Sequence, residues 1–176
     1  MSKQKRHRKS TRARQSAWAI ATVIGIGLLL IAGATIWWSD PPVSPAQADV
    51  VVYKRANCSC CNKWVSHLQD SGLIVSVQNV RDTREIQQAL GVPDELRACH
   101  TATVGDHWVE GHVPADLIYR LINEDPDDVR GLAVAGMPIG SPGMEGPNPQ
   151  TYEVLRVTPE GQVDRYAERE GAVSPP

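Results

Sequence analysis

The stretch VVVYKRANCSCCNKWVSHLQDSG, residues 50–72, decides how the rest of the chain is read. Its first five residues are β-branched or aromatic, apart from the closing lysine, and predict a buried strand. After the three-residue turn Arg55-Ala56-Asn57 come Cys58, Cys60 and Cys61, three thiols in four consecutive positions. Trp64, Val65 and Leu68 then follow at helical spacing up to Gly72, a helix-stop signal. The cysteines therefore sit where a strand turns into a helix.

Outward from this unit, LIVSVQNV (73–80) predicts a second strand, and DTREIQQALG (82–91) a second helix capped by Asp82 or Thr83 and ended by Gly91. TATVG and HWVEG, on either side of Gly105-Asp106, predict an antiparallel hairpin. In PADLIYRLINEDP, Pro114 stands at the first helical position and Leu117, Ile118, Leu121 and Ile122 form an apolar stripe. The order strand-helix-strand-helix-strand-strand-helix predicts an α/β domain with a thioredoxin-like sheet and helices on both faces. GLAVAGMPIGSPGMEGPNPQ (131–150) reads as an ordered loop, and YEVLRVTPEGQVDRYAE as an added C-terminal β-hairpin.

The front of the chain differs in character. Residues 1–16 carry seven basic residues and no acid, a basic cytoplasmic arm. Residues 17–38 are uncharged and end in Trp37-Trp38; as a helix they would extend about 33 Å, enough to cross a membrane core. This predicts one N-terminal transmembrane helix with the remainder in the periplasm. Ala46-x-Ala48 offers the alternative of a cleaved signal and a soluble periplasmic product. Residues 39–48 read as a Pro/Ala-rich linker, 49–170 as the folded domain and 171–176 as a tail. All 20 acidic residues lie beyond residue 16 with only 11 of the 18 basic ones, a formal balance of −9. Such a domain does not suit nucleic acid and tolerates cations.

Cys99 in ELRACHTATVG is the only other cysteine. In the expected fold the segment before the third strand packs beside the strand-to-helix turn, so Cys99 should approach the other three thiols. A helix N-terminus favours thiolates there. Three chemistries stay open. Four soft ligands suit Cu(I), Zn(II) or an iron–sulfur cluster, with affinity order favouring copper over zinc. Cys58-x-x-Cys61 has the spacing of a redox dithiol, although the segment before the third strand lacks the proline that such enzymes use to receive substrate. Two structural disulfides are permitted by the even count in an exported domain, but the adjacency of Cys60 and Cys61 argues that neither pairs readily with the other or with Cys58. His100, beside Cys99, and His112, just before a helix, are further candidate ligands. Met137 and Met144 offer thioethers on a Gly/Pro loop. His67 and His107 are expected at the surface.

Taken together, VVYK, CSCCNKWVSHL, GVPDELRACHTATVG, VEGHVPADLIYRL and GLAVAGMPIGSPGME resemble, in order, the copper-resistance CopG family of exported, cysteine-rich metal-binding proteins. The resemblance implies a thioredoxin-like fold in which Cys58, Cys60, Cys61 and Cys99 hold a multinuclear Cu(I) cluster. The expected function is copper resistance, by sequestration or by Cu(I)/Cu(II) redox handling. Its expected partners are copper ions, other copper-resistance or electron-transfer proteins of the periplasm, and the membrane through the N-terminal helix. The alternative is a membrane-tethered thiol-disulfide oxidoreductase using Cys58 and Cys61. One departure stands out: Arg55-Ala56-Asn57 replaces the family's usual Ser-Pro-Thr-like lead into the first cysteine.

Overall fold

The computed structural model describes residues 42–172. The expected membrane segment, 17–38, lies outside them; among the described residues no helix is long and apolar enough to cross a membrane.

The described chain is a mixed α/β fold around one seven-stranded sheet. Its elements are β1 (Val50–Lys54), α1 (Ser59–Asp70), β2 (Val75–Asn79), α2 (Arg84–Leu90), β3 (His100–Val104), β4 (His107–Glu110), α3 (Ala115–Glu124), β5 (Gly131–Ala133), β6 (Thr151–Val157) and β7 (Val163–Glu170). The strand order is β2-β1-β3-β4-β5-β6-β7. β1 runs parallel to β2 and antiparallel to β3, and β3 and β4 form the expected hairpin with Val104 opposite His107. Gly105 takes φ +56 in the connecting turn.

Alternation along the strands divides the apolar residues between the two sheet faces. On one face Val50, Val52, Ala102, Val109 and Leu132 pack with Trp64 and Leu68 of α1 and with Leu117, Ile118 and Leu121 of α3. On the other, Trp108, Ala133 and Val157 pack with Val92, Leu96 and the end of α2 at Leu90. Adjacent residues such as Trp108 and Val109 thus serve opposite cores, which places helical segments on both faces. Trp64 is fully buried and its indole N–H donates to the Val113 carbonyl at 2.8 Å, pinning α1 to the segment that leads into α3. Truncating such a residue to alanine costs about 3–5 kcal/mol.

Three local expectations need correction. Pro114 is the N-cap residue of α3, with extended ψ 146, rather than its first helical residue. Residues 131–133, read as the start of a loop, form β5, parallel to β4 and antiparallel to β6. A three-residue strand is too short to show a period, and Gly131 is required there because a Cβ would lie 2.1 Å from the Trp108 ring. Through β5 the C-terminal hairpin continues the main sheet. The linker region also docks, since the Ser76 hydroxyl donates to the Val43 carbonyl at 2.8 Å.

Candidate metal and redox site

The polypeptide leaves β1, turns through residues 55–57, and enters α1 at Cys58, its N-cap residue, with no side chain capping the exposed helix N–H groups. β3 lies antiparallel beside β1, with His100 opposite Lys54, so the residue before it, Cys99, comes next to this turn. The four sulfurs lie within 4.8 Å of one another. Cys99 Sγ is 3.5 Å from Cys61 Sγ, 3.8 Å from Cys58 Sγ and 4.0 Å from Cys60 Sγ. The expected gathering of all four cysteines is present.

Their bonding departs from the expectation. Cys58 and Cys61 form a disulfide, leaving Cys60 and Cys99 as free thiols. Adjacency does keep Cys60 apart from Cys61, but the turn at the head of α1 sets the Cα atoms of Cys58 and Cys61 5.3 Å apart, within ordinary disulfide reach. Burial pushes the Cys99 thiol up to about 11, with the neighbouring Cys60 adding to the shift. Cys99 is therefore protonated at neutral pH in the metal-free protein.

His100 and His112 are both fully buried, and together with Cys99 they form a second group whose ligand atoms lie within 4.8 Å. Their rings meet edge to face at 5.0 Å, and Trp64 lies against His100 at 4.5 Å between ring centroids. Burial, and then the second imidazole, lower His100 to about 3; burial also lowers His112. Both rings are thus neutral, the form that ligates metals. His112 Nδ1–H donates to the Pro142 carbonyl at 2.7 Å, which leaves the lone pair on Nε2. The Nε2 atoms of both histidines are buried without a hydrogen-bond partner among the described residues. His100 Nδ1 lies 3.7 Å from Cys99 Sγ, and neutral buried imidazoles next to a thiol suit a soft metal ion.

Met137 and Met144 come close to the cysteine cluster at Cys60. They line a cleft of about 300 Å³ with Ser59, Cys60, Lys63, Gly143 and Glu145, on the outer side of Cys60. Gly143 makes the approach: at φ +84 a Cβ there would lie 2.7 Å from the Trp64 nitrogen and 2.9 Å from the Cys60 carbonyl oxygen. The loop backbone thus rests directly on the first turn of α1.

The sequence reading missed a buried polar clamp behind Cys99. Glu110, fully buried at the end of β4, accepts through Oε1 from Gln87 Nε2 at 2.5 Å and from the Ala98 N–H at 2.7 Å. Gln87 Nε2 also donates to the Ala98 carbonyl at 3.1 Å. Both polar groups of Ala98 are thereby held, which orients the chain at Cys99. Burial pushes Glu110 up to about 7. The available signal was the lone acid in HWVEG, read there only as strand. His67 and His107 are also corrected. His67 Nε2 accepts the Ala115 N–H at 3.2 Å at the start of α3, and His107, buried, bridges the Val129 carbonyl at 2.6 Å and Asp125 at 3.0 Å.

The fold and site define an α/β protein with four cysteines converging at a strand-to-helix turn. The family described as "Protein of unknown function, DUF411" matches residues 96–144, the segment that carries Cys99, His100, His112, Met137 and Met144. Two solved structures, Form 1 and Form 2 of copper resistance protein CopG, are 41% and 40% identical, each with a TM-score of 0.64. The alignments cover 69% and 68% of this chain and 97% and 96% of those chains. No curated protein matches the sequence. The chain belongs to the CopG family of copper-resistance proteins.

Proposed function

We propose that this chain is an exported copper-handling protein in which Cys58, Cys60, Cys61 and Cys99 bind copper as thiolates. The observation that carries this reading is the convergence of four sulfurs within 4.8 Å, a spacing that lets thiolates bridge several Cu(I) ions. The relatives named for copper resistance support copper over zinc. Neutral His100 and His112 are the nearest additional donors, and Met137 and Met144 are candidates for capturing copper at the outer rim. The β2-β1-β3-β4 order with parallel β1 and β2 supports a thioredoxin-like assignment for the core of the sheet.

The Cys58–Cys61 disulfide supplies a redox step. Two Cu(II) ions each accept one electron from the Cys58/Cys61 dithiol; the two thiols lose two protons and join as the disulfide, and two Cu(I) ions result. The products are Cu(I) and a site with only two remaining thiols, so reduction of the disulfide by an external electron donor resets it. Export follows from the basic arm and apolar run at the N-terminus, either as an anchor or as a signal cleaved near Ala48. N-terminal sequencing of protein from membrane and periplasmic fractions separates these two.

Anaerobic copper titration of the reduced protein, with stoichiometry from elemental analysis, tests the central reading. Copper binding that disappears on replacing all four cysteines by serine is expected; equal binding by that variant would sink the proposal. The same disulfide favours one rival, a thiol-disulfide oxidoreductase. Metal-independent insulin reduction that is abolished by Cys58→Ser or Cys61→Ser would establish the rival.

A further inference from the structure

Beside Cys99, a cleft of about 380 Å³ is lined by Arg55, Arg81, Arg84 and Arg97, with Asp82, Gln87 and Cys99 also at its wall. Four of the eleven basic residues beyond residue 16 thus surround one opening, on a region whose formal balance is −9. Arg84 is paired with Asp82 at 2.6 Å, and Arg97 with Asp94 at 2.6 Å. Arg55 and Arg81 have no ion-pair partner among the described residues. Arg97 Nε is a buried donor that likewise lacks a partner there. Asp82 is the only acid lining the cleft, and Asp94 is engaged at its edge.

A concentration of cations on an acidic protein, with unpaired guanidiniums and an orphaned N–H beside a free thiol, has a chemical reading. Guanidinium forks match the paired oxygens of carboxylates and phosphates, and partial enclosure strengthens that attraction over bulk water. We propose that this cleft binds a small multivalent oxyanion, a polycarboxylate or a phosphate, and holds it against the Cys99 thiol. Arg55 and Arg81 supply the uncompensated charge, and Arg97 supplies an inner donor. Arg55, in the turn that leads into the cysteines, contributes one of these cations. In the copper reading the cleft is the port through which copper arrives as an anionic complex. That use rests on the proposed function, whereas the anion site does not.

The test therefore uses no copper. In the full-length, metal-free chain, alkylation of Cys99 by anionic iodoacetate and by neutral iodoacetamide is followed by peptide mass mapping, with Cys60 as the internal reference. The ratio of the two rates cancels any change in thiol ionisation. The ratio at Cys99 is expected to fall several-fold in the Arg55→Gln/Arg81→Gln variant while that at Cys60 changes less. Citrate or inorganic phosphate should slow iodoacetate at Cys99 in the wild type and not in the variant, and whichever competes at lower concentration identifies the source of the oxyanion. An unchanged ratio overturns the proposal. So does a fall without competition by either anion, which would mark a diffuse field rather than a site. Normal copper binding alongside either negative result would leave the copper reading standing.

Discussion

Cys99 Sγ lies 3.5 Å from Cys61 Sγ, closer than it approaches either other cysteine, while Cys61 is already bonded to Cys58. A free thiol so close to a disulfide sulfur is placed for exchange. Two thiols are expected to react in the oxidised protein and four after reduction. In Cys58→Ser, oxidation should join Cys61 to Cys99, identified by peptide mapping. A variant that instead forms mainly intermolecular disulfides would contradict this geometry.

Metal binding at Cys99 must displace a proton, because burial holds this thiol at about 11. Affinity for Cu(I) should therefore rise about tenfold per pH unit between roughly pH 7 and 9 from this thiol alone. Competition titrations against a Cu(I) chelator at several pH values measure the slope. Cys99→Ser should lower it by one proton per site; an unaltered slope would place Cys99 outside the ligand set.

Glu110 has its folded pKa raised from 4.5 to about 7 by burial. The protonated acid is therefore favoured by folding. Its stabilising contribution is complete below about pH 4.5 and is lost as the pH rises through about 7, a change of about 3 kcal/mol. Glu110→Gln keeps an oxygen for Gln87 and Ala98 but cannot ionise. Urea unfolding of the metal-free proteins should show the wild type losing about that much stability relative to the variant from pH 4.5 to 7.5. A constant difference would mean that Glu110 is not the titrating group.

Gly143→Ala would place a methyl group against the Trp64 nitrogen and the Cys60 carbonyl in a left-handed backbone. A loss of about 1–3 kcal/mol is expected. If the loop brings Met137 and Met144 to Cys60, the same substitution should weaken capture of Cu(I) at the rim more than the final copper stoichiometry. Rapid-mixing and equilibrium measurements on one preparation separate the two effects.

Much of this architecture is local and therefore readable along the chain. The β-branched run 50–54, the stripe in α3, and Gly91 closing α2 at φ +74 each encode their element within a few residues. So does the clustering of Cys58, Cys60 and Cys61 at the head of a helix. The expected sheet topology brought Cys99 to them, soft-ligand chemistry pointed to a metal site, and the family resemblance added a multinuclear copper cluster.

The tertiary structure decided what depends on distance between remote segments. Whether Cys61 faces Cys58 or Cys99 is a matter of ångströms at one helical turn, which spacing in sequence does not resolve. β5 is too short for a period and exists because Gly131 admits the Trp108 ring. The burial of His100 and His112, the Gln87–Glu110 hold on Ala98, and the gathering of Arg55, Arg81, Arg84 and Arg97 around Cys99 all join residues from different elements. Local propensity sets strands and helices, but only the packed sheet determines which polar groups lose water together, and that shared loss of solvent makes the site.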